Sequence, residues 1–300
     1  MVRKVVSWVL IGLGAFLLVA AVLAATWAPG QLERTPLDTD STTRLEGGGQ
    51  KLNPATGEVE DITVKATSIS QVDSDASDDD VVVFASSTCA VLDEGDVPDC
   101  VAGTDDRLVS ASTEVFATDR HTGMSVDGSD YVEGEYEQRE GLVNKWPFNA
   151  EKKDYPYWDG MLKQAVNAAY VGTETIEGLE TYEYHVLIEH ETTEVVEGVE
   201  GRYSMDKRLW IDPRTGAIVR QTQDELRTTY DGDILLDLQL AFTDEQVKSN
   251  AADAKDNGSM LDLVTGTVPL VGFILGPILL IVGIALQVLA RREREGTHTA

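Results

Sequence analysis

The sequence predicts a mainly β (α+β) fold: a curved antiparallel sheet or half-barrel flanked by one N-terminal and one C-terminal transmembrane helix. Three observations predict it. Uncharged apolar runs occupy the two ends, Val5–Trp27 with 23 residues and Leu263–Ala290 with 28. Between them, β-branched and aromatic residues recur with a period of two, the side-chain period of a strand. One turn pattern, Asn/Asp followed four residues later by Gly, recurs between these stretches.

About 20 apolar residues at a 1.5 Å rise cross a ~30 Å hydrocarbon core, so each run is long enough to span a bilayer. The expected boundaries are a cytoplasmic start at 1–4, a span at 5–27, an exported β-rich domain at 28–262, a span at 263–290 and a cytoplasmic tail at 291–300. Arg3 and Lys4 precede the first run, and Arg291, Arg292 and Arg294 follow the second. Basic residues beside a span stay on the cytoplasmic side, so both ends place the middle outside the cytoplasm and the protein in the plasma membrane. The rival reading of the first run is a cleaved signal peptide ending near Ala24-Ala25. Residues 28–262 hold 19 basic and 50 acidic residues, a net charge of −31. That balance favours solubility and excludes nucleic acid as a partner.

Strands are expected at Asp61–Ser70, Asp80–Ser87, Arg107–Thr118, Thr181–Thr192, Arg202–Ile211, Ala217–Tyr230 and Ile234–Phe242. Hairpin corners are expected at Asn53–Gly57, Asp119–Gly123 and Asp212–Gly216. In each, the Asn or Asp bonds its own backbone and the Gly supplies the closing positive φ. A short helix is expected at Tyr157–Ala169. A second is expected at Thr243–Asn257, where Thr243 and Gln246 form a capping box. Gly47-Gly48-Gly49 and the acidic run Asp73–Asp80 read as flexible loops.

Cys89 and Cys100 lie in the exported segment at a spacing suited to a disulfide, worth about 2–3 kcal/mol for so short a loop. Asp73, Asp75 and Asp78 form a weak calcium candidate, since the position that an EF-hand fills with Glu is Phe84. His185 and His190 point to opposite faces of a strand and do not converge on a metal. Ser204-Met205-Asp206-Lys207 matches S-x-x-K, but lies on a strand rather than the helix that motif needs. No pattern implies a cofactor, and the protein is not expected to be an enzyme.

Trp146, Phe148, Tyr155, Tyr157 and Trp158 crowd one Pro-containing segment. They form either a ligand or partner loop or a plug over one end of the core. Gly272-x-x-x-Gly276 in the second run and Ala20-x-x-x-Ala24 in the first offer small-residue faces on which the two helices can pack, with a homodimer as the alternative. Tyr182, Tyr184, Val186, Ile188, Leu209, Ile211, Leu236, Leu238 and Leu240 are the candidate lining of a cavity on one sheet face.

Several segments carry a resemblance. They are Thr35-Pro36-Leu37-Asp38 with Ser41-Thr42-Thr43, the Asp119–Gly123 corner, the block from Trp146-Pro147-Phe148 to Tyr155-Pro156-Tyr157-Trp158-Asp159, the step Gly178–Tyr182 and the closing span. Together they resemble the actinobacterial two-span proteins of the porin PorA family, whose domain has no assigned function. The resemblance covers nearly the whole chain and implies a pore in the outer mycolate layer. The two-span layout is also similar to that of scavenger receptors, and Leu209–Arg220 to a hairpin of periplasmic lipoprotein carriers. The expected function is a membrane-tethered binding module for a lipid or amphiphile of the cell envelope. The alternatives are a scaffold with an envelope protein partner, and a channel-forming porin.

Overall fold

The computed structural model describes residues 2–297 except 133 and 135. The chain divides into two compact units, Met1–Arg34 with Asp256–Ala300, and Thr35–Lys255.

The first unit is built on two long apolar helices, α1 (Val2–Thr26) and α4 (Val268–Thr297). A five-residue helix, α2 (Ala28–Leu32), follows α1. Both long helices are long and apolar enough to cross a membrane. Leu, Ile and Val tails give no hydrophobic preference for a neighbouring helix over lipid, so close backbone approach must hold them together. Gly14 and Gly276 supply it: a Cβ on Gly14 would stand 2.7 Å from the Gly276 carbonyl oxygen. Likewise a Cβ on Gly272 would meet Ala21, and one on Gly283 would meet Ile11. The Ser7 hydroxyl donates to the Gly283 carbonyl at 2.7 Å. The seam thus runs antiparallel along Ser7, Gly14, Ala21 and Ala24, with Ala20 half-buried at its flank. A π-helical turn (Asp262–Thr267) precedes α4, just before Pro269, whose ring cannot donate to the regular ladder. The tail expected at 291–300 has its last three residues outside the described part.

The second unit is one ten-stranded antiparallel sheet. Its strands are β1 (Asp40–Leu52), β2 (Val59–Asp73), β3 (Val81–Leu92), β4 (Leu108–Asp119), β5 (Tyr155–Asp159), β6 (Gln164–Ile176), β7 (Leu179–Val196), β8 (Val199–Ile211), β9 (Ile218–Thr228) and β10 (Ile234–Phe242). Their order is β4-β3-β2-β1-β10-β9-β8-β7-β6-β5. All seven expected strands are present. The three corners close as their chemistry dictates, with Gly57, Gly123 and Gly216 at φ 73°, 70° and 74°. The carboxamide or carboxylate oxygens of Asn53, Asp119 and Asp212 accept backbone N–H groups inside their own turns.

Two expectations fail. Gly47-Gly48-Gly49 is not a loop but the middle of β1, paired on both sides. A Cβ on Gly47 or Gly49 would stand 1.9 Å from the carbonyl oxygen of Gln239 or Asp237. The glycines therefore permit the close strand approach of a sharply coiled sheet. Tyr157–Ala169 is not a helix but a hairpin, β5 and the start of β6. The Asp159 carboxylate accepts the N–H groups of Met161 and Leu162, and Lys163 sits at φ 53°, so the chain reverses before a helical turn forms. The helix at Thr243–Asn257 is present as α3 (Asp244–Leu261), capped by Thr243 Oγ1 on the Gln246 N–H at 3.2 Å. Gln246 reaches Arg44 N–H rather than the Thr243 backbone.

The sheet curls strongly. Lys51 of β1 donates to the Leu108 carbonyl of β4, and Tyr203 of β8 donates to Asp159 of β5. Each bond crosses three strand intervals, roughly 14 Å in a flat sheet at ~4.8 Å per strand, so both side chains span a chord on the concave face. Short segments then join the sheet edges: Thr118 of β4 bridges Ser125, Met124 bridges Leu142, and Leu142 bridges Tyr157 of β5. The convex face is covered in patches. Val247, Ala251 and Ala254 of α3 pack on Ile176, Leu179, Trp210 and Val219. The Cys89–Cys100 disulfide, with Cα atoms 5.6 Å apart, holds Val97 against Val91.

The bend at β1 gives a direct test. Gly49→Val should lower stability by more than about 2 kcal/mol, because the side chain collides with a neighbouring backbone rather than a movable side chain. Gly57→Val meets open space and strains only its own backbone, so it should cost clearly less. Urea unfolding of the two variants compares them.

Candidate functional site

The concave face ends in a plug made by the segment after β4. Trp146 N–H donates to the Gly216 carbonyl, Phe148 N–H to His121, Asn149 N–H to Arg214 and Ala150 N–H to Pro213. The segment is thereby tied to the corners at Asp119–Gly123 and Asp212–Gly216. A Cβ on Gly216 would stand 1.9 Å from the Trp146 carbonyl oxygen, so only glycine fits there. Fully buried Trp146 stacks on Tyr157 at 5.7 Å and leans on Tyr184 at 5.0 Å. Tyr155 and Tyr170 meet Tyr184 edge-on at 5.8 and 5.7 Å. Burial pushes the Tyr184 phenol well above its ordinary range, and its hydroxyl donates to the Glu151 carbonyl at 2.7 Å. Of the five aromatics singled out in the sequence, Trp146, Tyr155, Tyr157 and Trp158 are buried and Phe148 half-buried.

The nine candidate lining residues all share the concave face, as strand register requires. They form two packed groups. Tyr182, Tyr184, Val186, Ile188, Leu209 and Ile211 join the plug cluster. Leu236, Leu238 and Leu240 join Leu45, Val64, Ala66 and Ala90. Between the groups runs a polar row on β9, Gln221, Gln223, Glu225 and Arg227, beside Lys207 of β8. Gln221 donates to Gln223 at 3.0 Å. Arg227 donates through Nε to Glu225 at 2.6 Å and through Nη1 to the Val195 carbonyl. The Lys207 ammonium lies 5.5 Å from the Tyr157 ring centroid. Sequence reasoning missed this row because Leu226, the apolar residue of this stretch, lies on the opposite face, so the alternation of β9 points the row outward. At the end away from the plug, a pocket of about 380 Å³ opens between Lys51, Asn53, Glu60, Ile62, Leu92 and Asp106.

The convex face is charged. Asp206 and Asp224 are cross-strand partners, and Asp237 lies on the next strand. Burial, and then the Asp206 and Asp237 charges, hold the Asp224 carboxyl above the usual range. His185 pairs with Asp206 at 2.8 Å. His190 is separated from it on the same strand, at φ 53°. Ser204 accepts the His190 N–H, whereas Lys207 faces the concave side, so the S-x-x-K pair does not converge. At the calcium candidate, Asp73 Oδ1 accepts the N–H groups of Asp75 and Ala76, and Asp78 Oδ1 those of Asp80 and Val81. These carboxylates close their own turn, and among the described residues no three His, Cys, Asp or Glu gather as a metal site.

The family model described as porin PorA matches residues 6–285. A curated relative, "Porin PorA" of Corynebacterium amycolatum, is 27% identical over 227 residues, 62% of this chain and 58% of the relative. The match therefore spans less than two thirds of that protein's length.

Lys145 links the plug to the start of the unit. Its ammonium donates to Thr35 Oγ1 at 3.2 Å and lies 3.8 Å from the Phe148 ring centroid. Burial pushes it down to about 7, with the Asp119 charge partly opposing. An unfolded lysine keeps its proton up to about pH 10.4, so between pH 7 and 10.4 the unfolded chain binds more protons and stability rises with pH. Lys145→Met removes that slope. Between pH 7 and pH 9 the wild type should gain about 2 kcal/mol on the variant, read by chemical denaturation at each pH.

Proposed function

This chain belongs to the porin PorA family, and we propose that it is a non-enzymatic, membrane-tethered binding module whose curled sheet takes a cell-envelope lipid or amphiphile on its concave face. The observation that carries this reading is the layout of that face. Two apolar groups flank the row Gln221, Gln223, Glu225 and Arg227, most of which is only half-buried. An amphiphile needs both kinds of surface within one molecular length. The packed groups must part for an acyl chain to enter, since the described lining residues touch one another.

The sheet itself is suited to water. A β-barrel in a bilayer turns an apolar band outward, and a Lys or Arg at the midplane of that band costs about 2–4 kcal/mol. Here the outward positions include Lys65, Arg208, Asp206, Asp224 and Asp237. The two apolar helices then supply the membrane attachment, with Arg3, Lys4, Arg291 and Arg292 setting both termini in the cytoplasm and the sheet outside the plasma membrane. The second reading is a channel, which the family name favours. A scaffold for an envelope protein complex is the third.

Native mass spectrometry of the full-length protein released from detergent should show a bound mass of lipid size. Arg227→Leu, which disrupts the polar row, should reduce its occupancy several-fold. A protein-only mass, together with unitary conductance steps in planar bilayers, would replace this reading with the channel.

A further inference from the structure

The two edges of the curled sheet are joined by very little. The segment at Met124–Val126 pairs with β4 through Asp119 N–H to Met124 O and Val126 N–H to Ala117 O. The segment at Gly141–Leu142 pairs with β5 through Leu142 N–H to Pro156 O and Trp158 N–H to Leu142 O. Between these two segments run Ser125 N–H to Gly141 O and Ser125 Oγ to the Arg139 carbonyl, with the Tyr136 hydroxyl and the Gln138 side chain donating at 3.4 and 3.5 Å to the Val126 carbonyl. The interior strands, by contrast, are stitched along their lengths, β7 with β8 over twelve residue pairs.

One side chain ties this seam together. Arg139, only 4% exposed, extends from the β5 side of the seam to Glu114 of β4 at 3.1 Å. Its guanidinium carbon also lies 4.7 Å from the Phe116 ring centroid on β4 and 5.9 Å from that of Trp158 on β5. Polar dissatisfaction concentrates in the same place. Among the described residues, five buried side-chain polar atoms have no hydrogen-bond partner, and four of them, Thr118 Oγ1, Arg139 Nε, Asn144 Oδ1 and Trp146 Nε1, belong to the seam and the plug. Groups left without partners weaken the closed form and regain water when it opens. Gly141, at φ 78° with the Pro156 carbonyl oxygen 2.5 Å from where its Cβ would sit, places the turn beside the joint.

We propose that this seam is a side gate: Gly141–Leu142 parts from Met124–Ser125, with Arg139 as its latch, and exposes the aromatic cluster under Leu142 from the side. This rests on the concave face being the ligand face, and it supplies the route by which an amphiphile reaches the packed groups. Opening needs loss of a few hydrogen bonds and one ion pair while β6 to β9 stay paired.

Amide hydrogen exchange of the full-length protein in detergent micelles tests it without any ligand. In the wild type, the amides of Ser125, Val126 and Leu142 should exchange together and about tenfold or more faster than those of Tyr184, Val186 and Leu209. Arg139→Gln should speed the seam by roughly another tenfold and leave β7 and β8 unchanged. A disulfide between Met124→Cys and Leu142→Cys should slow the seam to the rate of the central strands. Seam amides that exchange with the central strands in the wild type overturn the gate, and an Arg139→Gln effect spread evenly over the sheet overturns the latch. Either result leaves the ligand reading to the mass measurement, and a protein-only mass with a fast seam does the reverse.

Discussion

Close approach of backbone to backbone at Gly47 and Gly49 is the constraint on which the rest of the sheet depends. Strand β1 is central, paired to β2 on one side and β10 on the other. Side chains at those two positions would keep β10 at a distance. Their absence lets the sheet coil tightly enough for Lys51 and Tyr203 to bond across its concave side. Once coiled, β4 and β5 come near each other, and a few residues around Ser125 and Leu142 suffice to join them. The plug follows from the same curvature, because it brings the corners at Gly123 and Gly216 within reach of one loop. Trp146 then closes the end by burying its ring against Tyr157 and Tyr184.

The two units solve the burial problem by different physics. The helices have nothing to gain from hiding leucines from lipid, so they meet through Gly14, Ala21, Gly272, Gly276 and Gly283, where backbones touch. The sheet gains from hiding apolar area from water and does so on both faces: the clusters on the concave side, and α3, the disulfide loop and the segment around Tyr131 on the convex side. The two apolar helices and the family match support association with a membrane.

Strands with alternating Val, Ile and Thr, the Asn/Asp–Gly corners, the capped α3 and the Cys89–Cys100 pair were legible in the sequence, because each has a local cause. The failures have nonlocal causes. Gly47-Gly48-Gly49 reads as a flexible loop unless one knows that β10 lies against it. Trp158-Asp159-Gly160-Met161-Leu162 carries apolar spacing compatible with a helix, and the deciding interaction is the Asp159 carboxylate on two backbone amides. The polar row on β9 is oriented against its own pattern, since the apolar residue of this stretch, Leu226, lies with Thr222 and Asp224 on the other face. The seam was invisible for a different reason. Its parts, Thr118, Arg139, Leu142 and Tyr157, lie on separate segments that only the curl brings together.

Helices for lipid and a sheet for water is the proposed division of the chain, and one labelling experiment tests it. Cysteines placed singly at Asp224 and Leu187, two convex-face positions, are offered a membrane-impermeant charged maleimide after the full-length protein is reconstituted into lipid vesicles. Ready labelling of both on the vesicles' accessible side, with a control cysteine at Leu18 in α1 unreactive, is the predicted result. Convex-face cysteines that react only after detergent dissolves the bilayer, as Leu18→Cys does, would mean that the strands lie in the membrane and contradict the account.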